Sequence, residues 1–338
     1  MRHAVREWLG RYAPDGVVAV ALSGGADSVA LTAAACAEAD VVDALTVDHG
    51  LQPGSAEVAA AAVALASKLG CRSAQVLTVT VERAGTGLGI ADRDPDIGRS
   101  PGLGDRAGKA RYPGGPEAAA RRARYAALDE ARQGLPVLLG HTLDDQAETV
   151  LLGLARGSGA RSIRGMPEFD APWGRPLLGV RRSVARELCA DLGITPWEDP
   201  HNSAPEFTRV RLRHEVLPLL EDVLGGGVAA ALARTAAHLR EDGEVLDALA
   251  GELLAAARDG DGLRIEMLAT AAPAVRRRVI REWLLERGAK SLTDSNLRAV
   301  EALVTRWRGQ GGVAVGGSAS GTRLVAAREH GRLILGSE

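Results

Sequence analysis

The amino-acid sequence predicts an α/β protein: a doubly wound, parallel five-stranded sheet followed by a smaller, mainly helical C-terminal domain. Three observations predict this. Apolar runs with strand character recur at residues 17–22, 41–48, 74–81, 136–142 and 174–180. Helix-compatible stretches of about 12 or more residues separate the early runs, which makes βαβ units and a parallel sheet the economical reading. After Gly225-Gly226-Gly227 this alternation stops and amphipathic helices take over at 228–258, 273–287 and 293–306. The glycines therefore divide a catalytic domain, 1–224, from a second domain, 225–338. The tail from 313 to 335 carries short β-like pieces separated by glycines.

At 338 residues and 46% hydrophobic content the chain can bury two cores, and with aromatics at 3% those cores must be Ala, Val and Leu. The formal charge of −2 excludes a polycation, so contacts to nucleic acid must come from local patches. Lys68, Lys109 and Lys290 are the only lysines; nearly all basic charge is arginine. Cys36, Cys71 and Cys189 form no CxxC, which argues against a disulfide framework, a zinc knuckle or a cysteine-held cluster. The N-terminus lacks a signal-peptide core, and no apolar run approaches the roughly 20 residues of a membrane span. The expectation is a cytoplasmic protein with no membrane partner.

The first strand ends in Ser23-Gly24-Gly25-Ala26-Asp27-Ser28, and a helix follows at once. Glycines let the backbone bend and approach a ligand. Loop amides and the free N–H groups of the helix start then converge on a spot that favours an anion, and Ser23 and Ser28 can add hydroxyl donors. Neither GxxxxGK[ST] nor GxGxxG is present here. The second strand runs out into Asp48-His49-Gly50-Leu51, polar residues where open α/β sheets place ligands. Residues 82–116 lose all apolar period and read as a long surface loop inserted in the domain. A helix over 117–132 puts Arg121, Arg124 and Tyr125 on one face.

The fourth strand is followed by His141 and then Asp144-Asp145-Gln146-Ala147-Glu148-Thr149. Acids in a first turn suit the helix dipole. Three carboxylates on one face exceed what capping needs, and they repel unless a cation, a metal or ammonium group, sits among them. Ser183 reads as an N-cap for a helix over 183–192. Arginines then cluster at 181–186 and 209–213, and Arg276, Arg277, Arg278 and Arg281 give a later helix a basic side.

Taken in order, these pieces resemble the tRNA(Ile)-lysidine synthetase family of PP-loop ATP pyrophosphatases. The resemblance is carried by SGGADS, Asp48-His49-Gly50-Leu51, Arg121 with Arg124-Tyr125, Gly140-His141, DDQAET, Arg156-Gly157, Arg175-Pro176-Leu177-Leu178, and Glu198-Asp199-Pro200 with Asn202 and Arg209. SGGxDS alone is shared with other synthetases; its combination with DHGL, DDQAET and EDPxN is far more specific. Thr142 stands where family members usually have a second histidine, the residues around EDPxN are arginines, the 82–116 segment is longer than usual, and the C-terminal part is the family's short form. The resemblance implies that ATP adenylates the wobble cytidine of a CAU-anticodon tRNA(Ile), and that the ε-amine of free L-lysine then displaces AMP. ATP and Mg²⁺ are the implied cofactors. The implied ATP contacts are Ser23, Gly24, Gly25, Ala26, Asp27, Ser28, Asp48, His49 and Arg121. Arg124, Arg209 and Asn202 are implied contacts to tRNA or lysine. Asp27 and Asp144 both stay open as metal contacts. Asp144, Asp145, Glu148 and His141 form the implied catalytic group, with Asp145 and Glu148 holding the lysine and one of them accepting a proton. With an amine pKa of ~10.4, deprotonation at pH 7 costs ~4.6 kcal/mol, so the second step needs such help. A homodimer stays open. The alternatives are a non-catalytic ATP-dependent tRNA-binding protein or another PP-loop tRNA-modifying enzyme.

Overall fold

A computed structural model describes residues 1–50, 54–79, 116–157, 159–200, 204–317 and 323–337. Leu51, Asn202 and all but the last residue of the 82–116 segment lie outside the described residues. The chain divides into two compact units, Met1–Ala237 and His238–Glu338.

The first unit opens with α1 (Arg2–Tyr12), β1 (Val17–Ala21), α2 (Ala26–Glu38), β2 (Val41–Asp48), α3 (Ser55–Leu69) and β3 (Ser73–Thr78). It continues with α4 (Pro116–Ala131), β4 (Val137–Leu138), α5 (Leu143–Arg156), α6 (Ala160–Ile163), β5 (Phe169–Asp170), β6 (Trp173–Gly174) and α7 (Arg182–Asp191). Next α8 (Thr208–Arg211) passes through a π turn (Leu212–Val216) into α9 (Leu217–Val223), and α10 (Val228–Ala257) follows.

The sheet order is β3-β2-β1-β4-β6-β5, parallel except for the β5–β6 edge hairpin. Side chains alternate across a strand, and β1 shows both layers. Val18 and Val20 join α1 and α2 through Trp8, Val29, Leu31 and Ala34, whereas Ala19 joins Leu45, Leu128 of α4, Val137 and Trp173. Alanine fills much of this core, at Ala30, Ala35, Ala62 and Ala66 among others, as the scarcity of aromatics demands. Strand direction reverses its spatial progression between β1 and β4. Ligands of open α/β sheets bind at such a switch point, outside the carboxyl ends of the strands.

The sheet has six strands where five were expected. The run at 174–180 contributes only the two residues of β6: Pro176 has no N–H to donate to a ladder, and the chain then turns, Val180 N–H donating to the Leu177 carbonyl at 2.9 Å. The expected cap at Ser183 is also corrected. The helix starts one residue earlier, with Arg181 at the N-cap position and without a local side-chain cap. A carboxylate from α5 supplies the acceptor instead: Asp144 Oδ2 takes the Arg182 backbone N–H at 2.8 Å.

Gly225, Gly226 and Gly227 make a left-handed turn, with φ of 78°, 91° and 76°. The units nevertheless divide later, inside α10. The first turns of α10 belong with the sheet unit because Ala229 and Leu232 pack on Ala147, Leu151 and Leu217.

The second unit holds the rest of α10 and then β7 (Arg258–Asp259), β8 (Gly262–Arg264), α11 (Ile265–Thr270), α12 (Pro273–Glu286), α13 (Asp294–Thr305), β9 (Val313–Gly317), β10 (Arg323–Glu329) and β11 (Arg332–Ser337). Its strands form an antiparallel sheet in the order β7-β8-β11-β10-β9, more sheet than the β-like tail announced. Leu263, Leu268, Ile280, Trp283, Leu284 and Leu303 build its core. Much of the basic side of α12 is paired: Arg276 and Arg277 share Glu301, and Arg278 meets Asp247. Among the described residues no single helix is long and apolar enough to cross a membrane.

Candidate active site

The loop after β1 is braced from within. Ser28 Oγ donates to the Gly25 carbonyl at 2.9 Å and accepts the Ser23 N–H at 3.2 Å; the Ser23 and Ser28 hydroxyls lie 3.1 Å apart. Ser28, expected to face a ligand, instead folds the loop that presents the amides. Gly24 has φ +85°, which requires glycine, and its carbonyl accepts the Trp197 N–H at 3.0 Å. Gly25 serves as the N-cap of α2, in extended backbone that other residues can adopt.

The exit of β4 lies against this loop. A Cβ on Gly140 would come within 3.1 Å of the Asp27 carbonyl and the Ser28 nitrogen. Any larger residue would force these two backbone segments apart by a few tenths of an ångström. Thr142 then caps α5 in a capping box with Asp145: the Thr142 N–H and hydroxyl donate to Asp145 Oδ2 at 2.8 and 2.7 Å. Thus the residue that departs from the family pattern sets the start of the acidic helix.

Three carboxylates from two helices converge on one guanidinium. Arg182 Nε donates to Asp27 Oδ2 at 3.0 Å and Nη2 to Asp145 Oδ1 at 2.5 Å, while Nη1 stands 3.6 Å from Glu148 Oε1. Arg213 forks onto Glu148, Nε to Oε1 at 2.8 Å and Nη2 to Oε2 at 3.2 Å, and also reaches Asp145 Oδ1 at 3.4 Å. Arg209 lies 3.9 Å from Glu148 Oε2 and donates to the Thr149 hydroxyl at 3.4 Å. Asp27, Asp145 and Glu148 are thereby matched in charge by Arg182, Arg209 and Arg213. A metal or ammonium ion was the expected cation among these acids. The structure supplies arginine, and Arg209, expected on tRNA or lysine, is one of the partners.

Asp144 stands apart. Its Oδ2 caps α7 and its Oδ1 faces Arg181 at 3.4 Å. Asp27 has a different balance. Burial pushes its carboxyl above the ordinary carboxylate range against the pull of Arg182, and its Oδ1 is buried with no hydrogen-bond partner. For Asp145, burial pushes up, but Arg182, His141 and the Thr142 hydrogen bonds outweigh it, so its carboxyl is held below the usual range. Burial and the nearby Arg175 push His141 down to about 3; its Nδ1 is buried and unpartnered, and the ring is neutral at pH 7.

The exit of β2 forms the flank. Asp48 Oδ1 accepts the Gly50 N–H at 2.9 Å, shaping its own turn. Arg124 Nε donates to His49 Nε2 at 3.2 Å, and burial with the Arg124 charge pushes His49 down to about 4. Arg121 packs over the Tyr125 ring at 5.2 Å and donates to its hydroxyl at 3.3 Å. Arg182 and Arg213 were missed as site residues. The available signal was charge balance: an acidic helix with no metal-ligand spacing, in a chain rich in arginine, should look to arginine for its counter-ions.

Among the described residues no group of three or more His, Cys, Asp or Glu side chains is arranged to hold a metal ion. Mg²⁺ bound with a nucleotide takes one or two carboxylates, phosphate oxygens and water. The unpartnered Asp27 Oδ1 fits that need; Asp144 is already engaged.

A PP-loop domain family matches residues 2–220, and the TilS substrate binding domain family matches residues 263–334. The chain is 66% identical over 337 residues to the tRNA(Ile)-lysidine synthase of Nocardia farcinica, covering 99% of this chain and 97% of the relative. It is 62% identical over 338 residues to that of Rhodococcus erythropolis (100% and 95% covered) and 56% identical over 323 residues to that of Mycobacterium tuberculosis (94% and 90%). Among solved structures, the U34-tRNA thiolase NcsA from Methanococcus maripaludis with its [4Fe-4S] cluster matches 71% of this chain and 78% of its own at TM-score 0.51 and 19% identity, a likeness of fold. With near-complete coverage at such identity, over a loop and an acidic helix that meet at one switch point, the chain belongs to the tRNA(Ile)-lysidine synthase family.

Proposed function

We propose that the chain is an ATP-dependent ligase that converts the wobble cytidine of a CAU-anticodon tRNA(Ile) to lysidine, releasing pyrophosphate and AMP. The observation that carries this reading is the shared Arg182. It places the anion loop and the acidic helix within one side chain of each other, as two consecutive reactions on one base require.

In the first step the amides of residues 24–26, held by the inward Ser28 hydroxyl, receive the departing pyrophosphate at the α2 N-terminus. Asp27 Oδ1 would hold Mg²⁺, which would offset phosphate charge. Arg121 and Arg124 flank the site at the β2 exit as contacts for phosphate.

In the second step Asp145 and Glu148 accept the ε-nitrogen of lysine in exchange for part of their contacts with Arg213 and Arg209, so these ion pairs open as the amine enters. An ammonium would be a fourth cation beside three anions and three guanidiniums, which disfavours it. The site therefore selects the neutral amine, the reactive form, and the proton is left to solvent as lysine binds. Asp145, held low, is a poor proton acceptor. This refines the expectation that one of the two acids accepts the proton. Since ATP, lysine and tRNA are cytoplasmic, the reading places the protein there.

The test uses purified protein, ATP, Mg²⁺ and radiolabelled lysine with transcripts of tRNA(Ile) and the methionine tRNA that share the CAU anticodon. Lysine should enter tRNA(Ile) alone, with equimolar pyrophosphate. No incorporation, with ATP-dependent tRNA binding intact, would favour a non-catalytic binder.

A further inference from the structure

Several arginines of the second unit are matched to acids, as Arg276, Arg278, Arg287 and Arg298 are. The turn after α13 is different. Arg306 and Arg308 are exposed, and neither makes an ion pair with a described residue. Between them stands Trp307, 39% exposed and the only exposed tryptophan of the five in the chain. In the same unit Trp283 is fully buried.

This turn is preorganised. Gln310 closes it from both sides of the tryptophan: the Arg308 N–H donates to Gln310 Oε1 at 2.6 Å, and Gln310 Nε2 donates to the Arg306 carbonyl at 3.2 Å. Gly309 supplies the required positive φ, 80°. Arg328 lies over the indole, 5.6 Å from its centroid, and is itself fixed by donating from Nη1 to the Leu303 carbonyl at 3.2 Å. A guanidinium over one part of the ring polarises it and holds its orientation, while more than a third of the residue stays open to solvent. A large aromatic with more than a third of its surface open between two unmatched cations is not accounted for by packing alone. It has the chemistry of a single-stranded nucleic-acid contact, a flat apolar face for a base with positive charge for the phosphates on either side.

We propose that residues 306–310 form an RNA contact, in which Trp307 stacks on an unpaired base of the tRNA and Arg306 and Arg308 take the adjoining phosphates. The proposal rests on the reading of the substrate as tRNA and adds where the second unit grips it. Charge complementarity favours RNA over a protein partner, because two unmatched arginines beside an aromatic suit a polyanion of stacked bases.

The experiment measures filter retention of the CAU-anticodon tRNA(Ile) transcript and steady-state lysidine formation for Trp307→Ala, Trp307→Phe and the double variant Arg306→Ala with Arg308→Ala. Trp307→Ala should weaken tRNA binding and raise the KM for tRNA about tenfold, the size of one lost base stack. Its kcat and its KM for ATP and lysine should stay within about twofold of the unmodified protein, because none of the three is among the residues assigned to the catalytic site, and Trp307→Phe should retain binding. The double arginine variant should lower the slope of log affinity against log salt by about 1.5–2, as two lost phosphate contacts require. Unchanged tRNA affinity in Trp307→Ala, equal losses in Trp307→Phe, or an unchanged salt slope would overturn the proposal. Failure of the unmodified protein to form lysidine would overturn the functional reading instead; retention of tRNA on the filter tests the patch without that activity.

Discussion

Replacing Arg182 by methionine removes the guanidinium on which Asp27, Asp145 and Glu148 converge. Its side chain is 15% exposed, that of Asp145 11% and that of Glu148 0%, so solvent cannot replace what is lost. Removing one partner of a buried ion pair destabilises by ~3–5 kcal/mol. Arg213 remains on both Glu148 and Asp145, which places the expectation at the lower end, ~3 kcal/mol. At about 2–4 °C per kcal/mol for a unit of this size, Tm should fall by roughly 6–12 °C at pH 7.5. The deficit should also shrink in acid. With Arg182 present, the depressed Asp145 contributes stability above the unfolded carboxylate pKa of ~3.9 and loses it as pH falls below that value. Without Arg182 the strongest pull on the carboxyl is gone and burial moves its folded value up, so part of that stability is absent at neutral pH and the two proteins converge as pH falls through the unfolded value. Melting curves of both proteins from about pH 8 down to the unfolded carboxylate value of ~3.9 and below, followed by circular dichroism, read this directly. A deficit below about 2 °C at neutral pH, or one that does not narrow in acid, would refute the account of Arg182 as the shared counter-ion.

Four further outcomes follow from the same geometry. His141, neutral in the fold and pushed down to about 3, gives stability that is full above the unfolded pKa of ~6.5 and falls with acid, by about 2 kcal/mol at pH 5; His141→Gln should flatten this limb in calorimetric scans, and an unchanged limb would contradict burial as its cause. Ser28→Ala removes the hydroxyl that braces the loop and, at ~0.5–1.5 kcal/mol for each lost hydrogen bond, should raise the KM for ATP about three- to tenfold per bond with little change in tRNA affinity. Gly140→Ala forces a Cβ onto the backbone of Asp27 and Ser28, so it should destabilise by ~1–3 kcal/mol and slow pyrophosphate release before it affects lysine affinity; an unperturbed rate would show that the approach of β4 to the loop does not matter. If the site takes lysine as the neutral amine, its KM should fall about tenfold per pH unit between pH 7 and 9, following the amine pKa of ~10.4, and a flat profile would exclude that selection.

The parts of this protein that could be read from sequence are those governed by local pattern. Val17–Ala21 and Val41–Asp48 announce themselves as buried strands, and the loop between β1 and α2 is marked by glycines at the right place. The acids of α5 are equally plain. What local pattern could not show is the partner of each group. Thr142 looked like a missing histidine and is a helix cap. Asp144 looked like a metal ligand and caps α7, 38 residues away in sequence. Arg182 and Arg213 lay in arginine runs that a solvated face would explain as well, and only the fold brings them onto Asp145 and Glu148. The strand expected at 174–180 failed for a local reason that was legible, since Pro176 withholds a donor. In the second unit, β7 and β8 are two and three residues long, too short for any periodicity to register.

The claim on which the account depends is that the loop after β1 and the acidic helix after β4 serve one bound tRNA in succession. A single-turnover chase tests it: labelled tRNA(Ile) is preincubated with enzyme and ATP without lysine, and lysine is then added together with a large excess of unlabelled tRNA. The account predicts that about one equivalent of pyrophosphate per site appears before lysine is added, and that the bound label proceeds to lysidine despite the trap. Pyrophosphate that appears only with lysine, or label that escapes into the trap before the amine is transferred, would contradict it.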